Sequence, residues 1–216
     1  MKSNGICIFC KKTFFGNAMG KHLRSCSERS KANQSDKGQG RVFLIKAGAG
    51  PFWAYFEADG SATLKKVDGF LRDLWLECCG HMSAFTIGNT EYVSHLEPGD
   101  CGRSMDAPLE DILLPGLKFG HEYDFGTPTI LRLDCISERK GKVKSGIRVL
   151  ARNNPPDFRC HACGKPAKEI CAQCIDDGDE YLLCGPCAKK HKCGEEMLLP
   201  VVNSPRMGMC GYTGED

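Results

Sequence analysis

What is missing from this chain of 216 residues narrows its function first. No apolar run approaches the roughly 18 residues that a membrane-spanning helix needs. The opening stretch, MKSNGICIFC, has no apolar core of a secretory leader, so the expected location is the cytoplasm, where thiols stay reduced. HExxH is absent. So is the deaminase pattern of His-x-Glu followed by Pro-Cys-x-x-Cys, because GPCAKKH lacks the second cysteine. The triplet Asp124-Phe125-Gly126 stands without the Gly-rich phosphate loop, strand lysine and catalytic loop of a kinase. It is read as structural, with Phe125 in the core and Gly126 at a bend. Net charge is only +2, so the molecule as a whole is not a polycation.

Cysteine, by contrast, is abundant. The chain has 15, and in a reducing compartment that number argues for metal sites instead of disulfides. Ten fall at the two ends in closely spaced pairs and singles. The other five, Cys78, Cys79, Cys101, Cys135 and Cys210, are scattered and read mostly as small buried hydrophobes, with Cys210 a spare ligand at most. Charge is uneven too. Residues 1–40 carry eight Lys/Arg against two Asp/Glu, whereas residues 41–150 and 151–216 are each slightly acidic. An anionic partner for the first end is one reading of that bias, and solvated lysines are the other.

The N-terminal cluster, CIFCKKTFFGNAMGKHLRSC, places Cys7, Cys10, His22 and Cys26 in the spacing C-x2-C-x11-H-x3-C. A ββα zinc finger has a similar gap between its ligand pairs and ends in two histidines, so this segment resembles a C2HC variant. Phe14 and Met19 fall where such a finger puts its small core. Tetrahedral zinc accepts three thiolates and an imidazole, and without an ion a segment this short has almost nothing to fold around. Lys11, Lys12, Lys21 and Arg24 surround it and are the residues expected to meet nucleic acid.

The C-terminal cluster runs C-x2-C-x7-C-x2-C-x9-C-x2-C-x3-H-x-C and offers Cys160, Cys163, Cys171, Cys174, Cys184, Cys187, His191 and Cys193. Eight ligands fill two tetrahedra. Sequential pairing would crowd the last four into ten residues. Interleaved pairing would join Cys160, Cys163, Cys184 and Cys187 at one ion and Cys171, Cys174, His191 and Cys193 at the other. The alternating spacing resembles the B-box, MYND and HIT zinc modules, and that resemblance implies a protein partner. The loop IDDGDEY (175–181) is acidic and AKKHK is basic, so the module has no long basic stripe. With three sites closed by four ligands each, mostly thiolates, three zinc ions in structural roles are expected, and no catalysis.

Between the ends, residues 41–152 show the only sustained hydrophobic periodicity. RVFLIKA and FWAYFEA read as strands around a Gly/Pro turn. A helix is expected from Thr63, with Leu64, Val67, Leu71, Leu74, Trp75 and Cys78 on one face and Gly80 at its end. SAFTIG with TEYVSH reads as a hairpin, PLEDIL as a helical turn or two, and KFGHEYDFG, TILRLDCIS and GIRVLAR as three further strands. His81, Phe85, Ile87, Gly88 and Tyr92, followed by Tyr123, Asp124, Phe125 and Gly126, resemble in order and spacing the plasmid Orf-three family, also labelled insertion-element passenger proteins. The resemblance covers about residues 41–150 and implies an α+β fold of poorly known activity. That family continues after the glycine with an acidic residue, a Trp and a His; this chain has TPTIL. If those positions form a site, this chain lacks it.

The expected organisation is therefore α+β: a finger (1–30), a linker (31–40) within the flexible polar stretch SERSKANQSDKGQG, the α+β domain (41–152), a Pro-rich linker (153–159), a binuclear module (160–199) and an ordered tail (200–216). Leu198, Leu199, Val201 and Val202 are expected to pack back onto the body, making the tail a strap, although Arg206 and Tyr212 could also line a site. The expected function is non-catalytic binding, with nucleic acid at the finger, protein at the C-terminal module and no membrane. Two competing readings are a protein adaptor that touches no nucleic acid, and an enzyme using His81, His95, His121, Glu122 or Asp124.

Overall fold

The computed structural model describes residues 3–99, 101–178 and 181–214. The architecture is α+β, dominated by one ten-stranded sheet. Its strands are β1 (Asn4–Cys7), β2 (Thr13–Phe15), β3 (Arg41–Ala49), β4 (Phe52–Asp59), β5 (Ser83–Ile87), β6 (Thr90–Val93), β7 (Arg103–Ser104), β8 (Lys118–Tyr123), β9 (Thr129–Lys140) and β10 (Ile147–Asn153), in the spatial order β2-β1-β10-β4-β3-β9-β8-β5-β6-β7. All pairings are antiparallel except β6 with β7.

β4 explains the layering. All eight of its residues are buried, although successive side chains of a strand point to opposite faces. Phe52, Ala54, Phe56 and Ala58 join Phe43, Ile45 and Ala47 of β3 in the main core. Over that face lies helix α3 (Leu64–Leu71), whose Leu64, Val67 and Leu71 recur at helical spacing and whose first turn is capped by the Thr63 side chain. A single π turn, Arg72–Leu76, extends it and buries Trp75. Trp53 and Tyr55 point the other way, onto Met19 and Leu23 of helix α1 (Gly16–Ser25) and onto Leu44 and Leu150. The sheet is thus sandwiched between α3 and the N-terminal finger.

The finger is accordingly part of the body. β1 pairs with β10, Asn4 at one end of the chain accepts from the Asn154 amide, and Tyr55 Oη donates to the Gly16 carbonyl (2.9 Å). A Cβ on Gly20 would sit 2.8 Å from that same tyrosine oxygen, so only glycine lets α1 approach this closely. The polar stretch expected to be a flexible linker also differs. Its first part is helix α2 (Ser27–Gln34), and the reason is Glu57. This fully buried carboxylate on β4 accepts from Arg29 of α2 (2.7 Å), Arg139 of β9 (2.8 Å) and Arg148 of β10 (2.5 Å), while Asp36 pairs with the last two. Composition showed a polar segment; the buried counter-charge that fixes it lies 28 residues away in sequence.

The C-terminal module has its own three-stranded sheet, order β12-β11-β13, made of β11 (Glu169–Cys171), β12 (Leu182–Leu183) and β13 (Leu198–Pro200), with short helices α4 (Ala172–Asp177) and α5 (Gly185–Ala188). The tail then crosses back. Ser204 Oγ donates to the Trp75 carbonyl (2.7 Å), and Arg206 and Tyr212 are buried. Phe125 departs from expectation: it is 48% exposed, because Asp124 adopts a left-handed backbone (φ 67°) that turns the following residue outward. Gly126 lies in the bend, where its amide donates to Asp124 Oδ1 (3.1 Å). Among the described residues no helix is long and apolar enough to cross a membrane.

Candidate metal centres

Four groups of cysteine and histidine converge, and within each the four ligand atoms lie within 4.8 Å of one another. The first is Cys7, Cys10, His22 and Cys26, set by the β1–β2 turn and by α1. Cys7 and Cys10 flank a tight knuckle. The Lys11 amide donates to the Cys7 carbonyl (2.9 Å), the Cys7 amide donates to the Lys12 carbonyl (3.0 Å), and Lys11 is held at φ 61°. His22 Nε2 lies 3.2 Å from Cys10 Sγ, and its ring stacks on Phe14 at 4.1 Å. Met19 is fully buried and Phe14 partly so.

The knuckle at Cys160 and Cys163 repeats that pattern. The Gly164 amide donates to the Cys160 carbonyl (2.8 Å), the Cys160 amide donates to the Lys165 carbonyl (2.8 Å), and Gly164 takes φ 70°. At the Cys160 thiol, burial pushes the pKa up, but backbone amides of Cys184, Cys163 and Ala162 outweigh it and bring it from 9.0 to about 6, toward the thiolate that a metal requires. The other two pairs of the module use helices. Cys171 precedes α4, which carries Cys174, and Cys184 precedes α5, which carries Cys187.

The eight ligands of the module meet in the interleaved arrangement: Cys160, Cys163, Cys184 and Cys187 form one group, and Cys171, Cys174, His191 and Cys193 the other. The seat of the first knuckle gives the reason: the His161 amide donates to the Leu182 carbonyl (2.9 Å), which sets Cys160 and Cys163 beside β12 and Cys184, while the strand register carries Cys171 away from them. Ile170 faces Leu182 and Glu169 faces Leu183, so β11 and β12 run antiparallel, and their cysteines, Cys171 and Cys184, emerge at opposite ends of the ladder. At about 3.3 Å per residue they stand roughly 10 Å apart along the strands, too far to share an ion. His161 stays outside both groups and packs edge-on to Tyr181. Asp179 and Glu180 of the acidic loop 175–181 lie outside the described residues.

The distances suit coordination. The sulfurs of Cys163 and Cys184 are 3.5 Å apart, those of Cys163 and Cys187 3.7 Å, and those of Cys174 and Cys193 3.7 Å; Cys174 Sγ is 3.3 Å from His191 Nε2. Four ligands at about 2.3 Å from a tetrahedral ion place neighbouring sulfurs about 3.8 Å apart. A disulfide would require about 2.05 Å.

The fourth group, Cys78, Cys79, His81 and Cys210, was not legible in the sequence. Cys78 is half-buried, and Cys79 and Cys210 are exposed, contrary to the expectation of buried hydrophobes; Cys101 is exposed as well, and only Cys135 of these five is buried. The adjacent pair Cys78-Cys79 and the remote Cys210 make no recognisable spacing. The one local hint was Cys-Cys-Gly-His, a histidine two residues after a cysteine pair.

Of the polar residues considered for catalysis, His81 and Asp124 approach each other, while His121 is engaged by Asp68 and His95 lies beside Glu97. His121 is buried with Nε2 2.7 Å from Asp68 Oδ1, which also accepts from Ser83 Oγ (2.7 Å); Arg72 donates to the other Asp68 oxygen (2.7 Å). Burial pushes the Asp68 pKa up, but these donors outweigh it and hold the carboxylate below its ordinary range. His95 is exposed, with Glu97 3.9 Å away, and Glu122 is half-buried on β8. Asp124 pairs with Arg206 at 2.5 Å, and His81 belongs to the fourth thiol group, with its Nε2 3.6 Å from Asp124 Oδ2.

Of the basic finger residues, Lys11, Lys12, Lys21 and Arg24 are all exposed, and Arg24 borders a cleft shared with Val42 and Leu44 of β3 and Ser137 and Glu138 of β9. No family model matches the chain, and no match is found among curated proteins. Among solved structures the chain is similar to the crystal structure of a protein of unknown function, MM3350 from Methanosarcina mazei Go1. The identity is 14% and the TM-score 0.45, over 52% of this chain and 68% of that one. At that level the likeness says nothing about function.

Proposed function

We propose that this chain is a non-catalytic zinc protein. The finger site and the two interleaved sites of the C-terminal module hold structural zinc, and the basic face of the finger contacts nucleic-acid backbone. The observation that carries this reading is that each terminal group supplies four protein ligands to one point, three or four of them thiols. Zinc accepts that donor set in a tetrahedron, and a shell filled by the protein leaves no position for a substrate. Thiolates also donate charge and blunt the Lewis acidity of the ion. Where a hydrophobic core is scarce, as in residues 160–199, zinc can supply the folding free energy.

The nucleic-acid part rests on the four exposed cations and on how α1 is docked. Met19, Gly20 and Leu23 are spent on the sheet, which leaves Lys21 and Arg24 outward. The positions from which a finger helix reads bases, −1, 3 and 6 relative to its start, are Phe15, Ala18 and Lys21. Only the lysine can hydrogen-bond, so the contact is to phosphates and carries little sequence preference. The C-terminal module, resembling cross-brace zinc modules, is the proposed surface for a protein partner. The relation of the central domain to the plasmid Orf-three proteins belongs to the same proposal and rests on its residue pattern.

Two measurements test the reading. Zinc counted in protein purified without added metal should reach at least three ions per chain; a value near one removes the structural-zinc account. Binding to duplex and single-stranded oligonucleotides across a salt series should weaken steeply with salt and be largely lost when Lys11, Lys12, Lys21 and Arg24 become alanine. No binding at low salt, or binding indifferent to those substitutions, would leave a zinc-stabilised protein adaptor in its place.

A further inference from the structure

We infer that Cys78, Cys79, His81 and Cys210 form a fourth zinc site, which fastens the C-terminal tail to the central domain. It extends the zinc reading to residues that have no finger-like spacing. His81 Nε2 lies 2.9 Å from Cys79 Sγ and 3.3 Å from Cys210 Sγ. Cys79 Sγ lies 3.5 Å from Cys78 Sγ and 3.6 Å from Cys210 Sγ. These separations match those of the three terminal groups, sulfur to sulfur and sulfur to nitrogen, and fit the edges of one tetrahedron.

The ligands are held before any ion arrives. Glu77 leaves the π turn in extended form, Cys78 and Cys79 lie in a bend, and Gly80 takes a left-handed backbone (φ 77°). Glu77 accepts from the Gly80 amide (2.6 Å) and from Tyr123 Oη (3.1 Å), and Arg72 donates to Glu77 (2.9 Å) and to the His81 carbonyl (2.7 Å). Hydrogen bonds of this kind around the ligand loop are what orient metal ligands in general. The tail is held separately. Arg206, fully buried, donates to Asp124 (2.5 Å), to the Thr127 carbonyl (2.6 Å) and to Thr129 Oγ1 (3.2 Å). Four residues on, Cys210 sits at φ 50°, a left-handed conformation that a cysteine adopts only at a cost. Ligation supplies a reason for that cost.

A cation shared with Asp124 stands beside the thiols as well. Three thiolates and one imidazole around Zn²⁺ leave a net −1, and Arg206 Nη2 lies 3.6 Å from Cys78 Sγ. The site differs from the other three in joining segments 131 residues apart. Its zinc is therefore a clasp between the helix–β5 loop and the tail, where the other three ions each fold a local module.

The test is native mass spectrometry of the full chain, combined with alkylation of its thiols. The wild type should carry four zinc ions, the double variant Cys79→Ser/Cys210→Ser three, and Cys101→Ser four. In the untouched wild type, Cys79 and Cys210 should resist iodoacetamide while Cys101, equally exposed, reacts; this readout needs no variant to fold. Three ions in the wild type, unchanged in the double variant, would overturn the clasp and leave the terminal sites standing. So would alkylation of Cys79 and Cys210 at the rate of Cys101, or a mass lower by two hydrogens, showing a disulfide in place of the ion.

Discussion

Cys79 Sγ lies 3.6 Å from Cys210 Sγ, across 131 residues of chain. The contact makes the C-terminal tail part of the central domain's structure. If zinc closes it, removing the ion frees one anchor of the tail and leaves Ser204 and Arg206 in place. Chelation should then raise chymotrypsin cleavage after Tyr212, which is buried beyond the clasp, severalfold, read on the intact chain by mass spectrometry, because local opening of a segment exposes its backbone to protease. Cleavage that is equally slow with and without chelator would show that the tail is held by Arg206 and Ser204 alone.

Arg206 is itself a stability determinant. Among the described residues Asp124 forms ion pairs with Arg206 and His81, and both Arg206 and Asp124 are buried. Arg206→Met should cost about 3–5 kcal/mol in denaturant unfolding, the usual penalty for stranding a buried charge. A loss under about 1 kcal/mol would mean that Asp124 finds other compensation.

Glu57 predicts an acid dependence. Burial pushes its pKa up, but the hydrogen bonds from Arg139, Arg29 and Arg148 outweigh burial and bring it from 4.5 down to about 2. The unfolded state binds the proton first, so this contribution is complete above about pH 4.5 and is lost as pH falls toward 2, amounting to roughly 3 kcal/mol. Glu57→Gln should be destabilised at neutral pH by about 3–5 kcal/mol, because three arginines are left facing a neutral group. Its stability should also fall less steeply than that of the wild type over that acid window. Parallel slopes would remove Glu57 from the account.

The interleaved pairing is tested by cobalt substitution. Cys163 belongs to the all-thiol group and Cys174 to the group containing His191. Cys163→Ser should abolish the absorption of the four-thiolate site, and Cys174→Ser should leave it intact. Sequential pairing would put both cysteines in one site, and then both variants would abolish the same signal.

Much of this was legible from spacing, because local metal sites write themselves into sequence. Cys7, Cys10, His22 and Cys26 lie within one ββα unit, and the eight ligands of the module lie within 34 residues. The strands and α3 were legible for a similar reason, since burial on one face leaves a period of two or of 3.6. What spacing could not carry was contact at long range. Cys79 with Cys210, Glu57 with Arg29, and α1 across Trp53 and Tyr55 are each decided by how the sheet folds. Phe125 was misplaced because its exposure depends on the backbone angle of Asp124, which neither residue's chemistry reveals.

The central claim is that zinc is enclosed by this protein's thiols and imidazoles. X-ray absorption at the zinc edge, on protein purified without added metal, measures that shell directly. The account predicts four-coordinate zinc with thirteen sulfurs to three nitrogens over the four sites, or ten to two if only the terminal three are filled, and no oxygen neighbour, at ~2.3 Å for sulfur. A shell dominated by nitrogen or oxygen, or a zinc content near one per chain or lower, would contradict it.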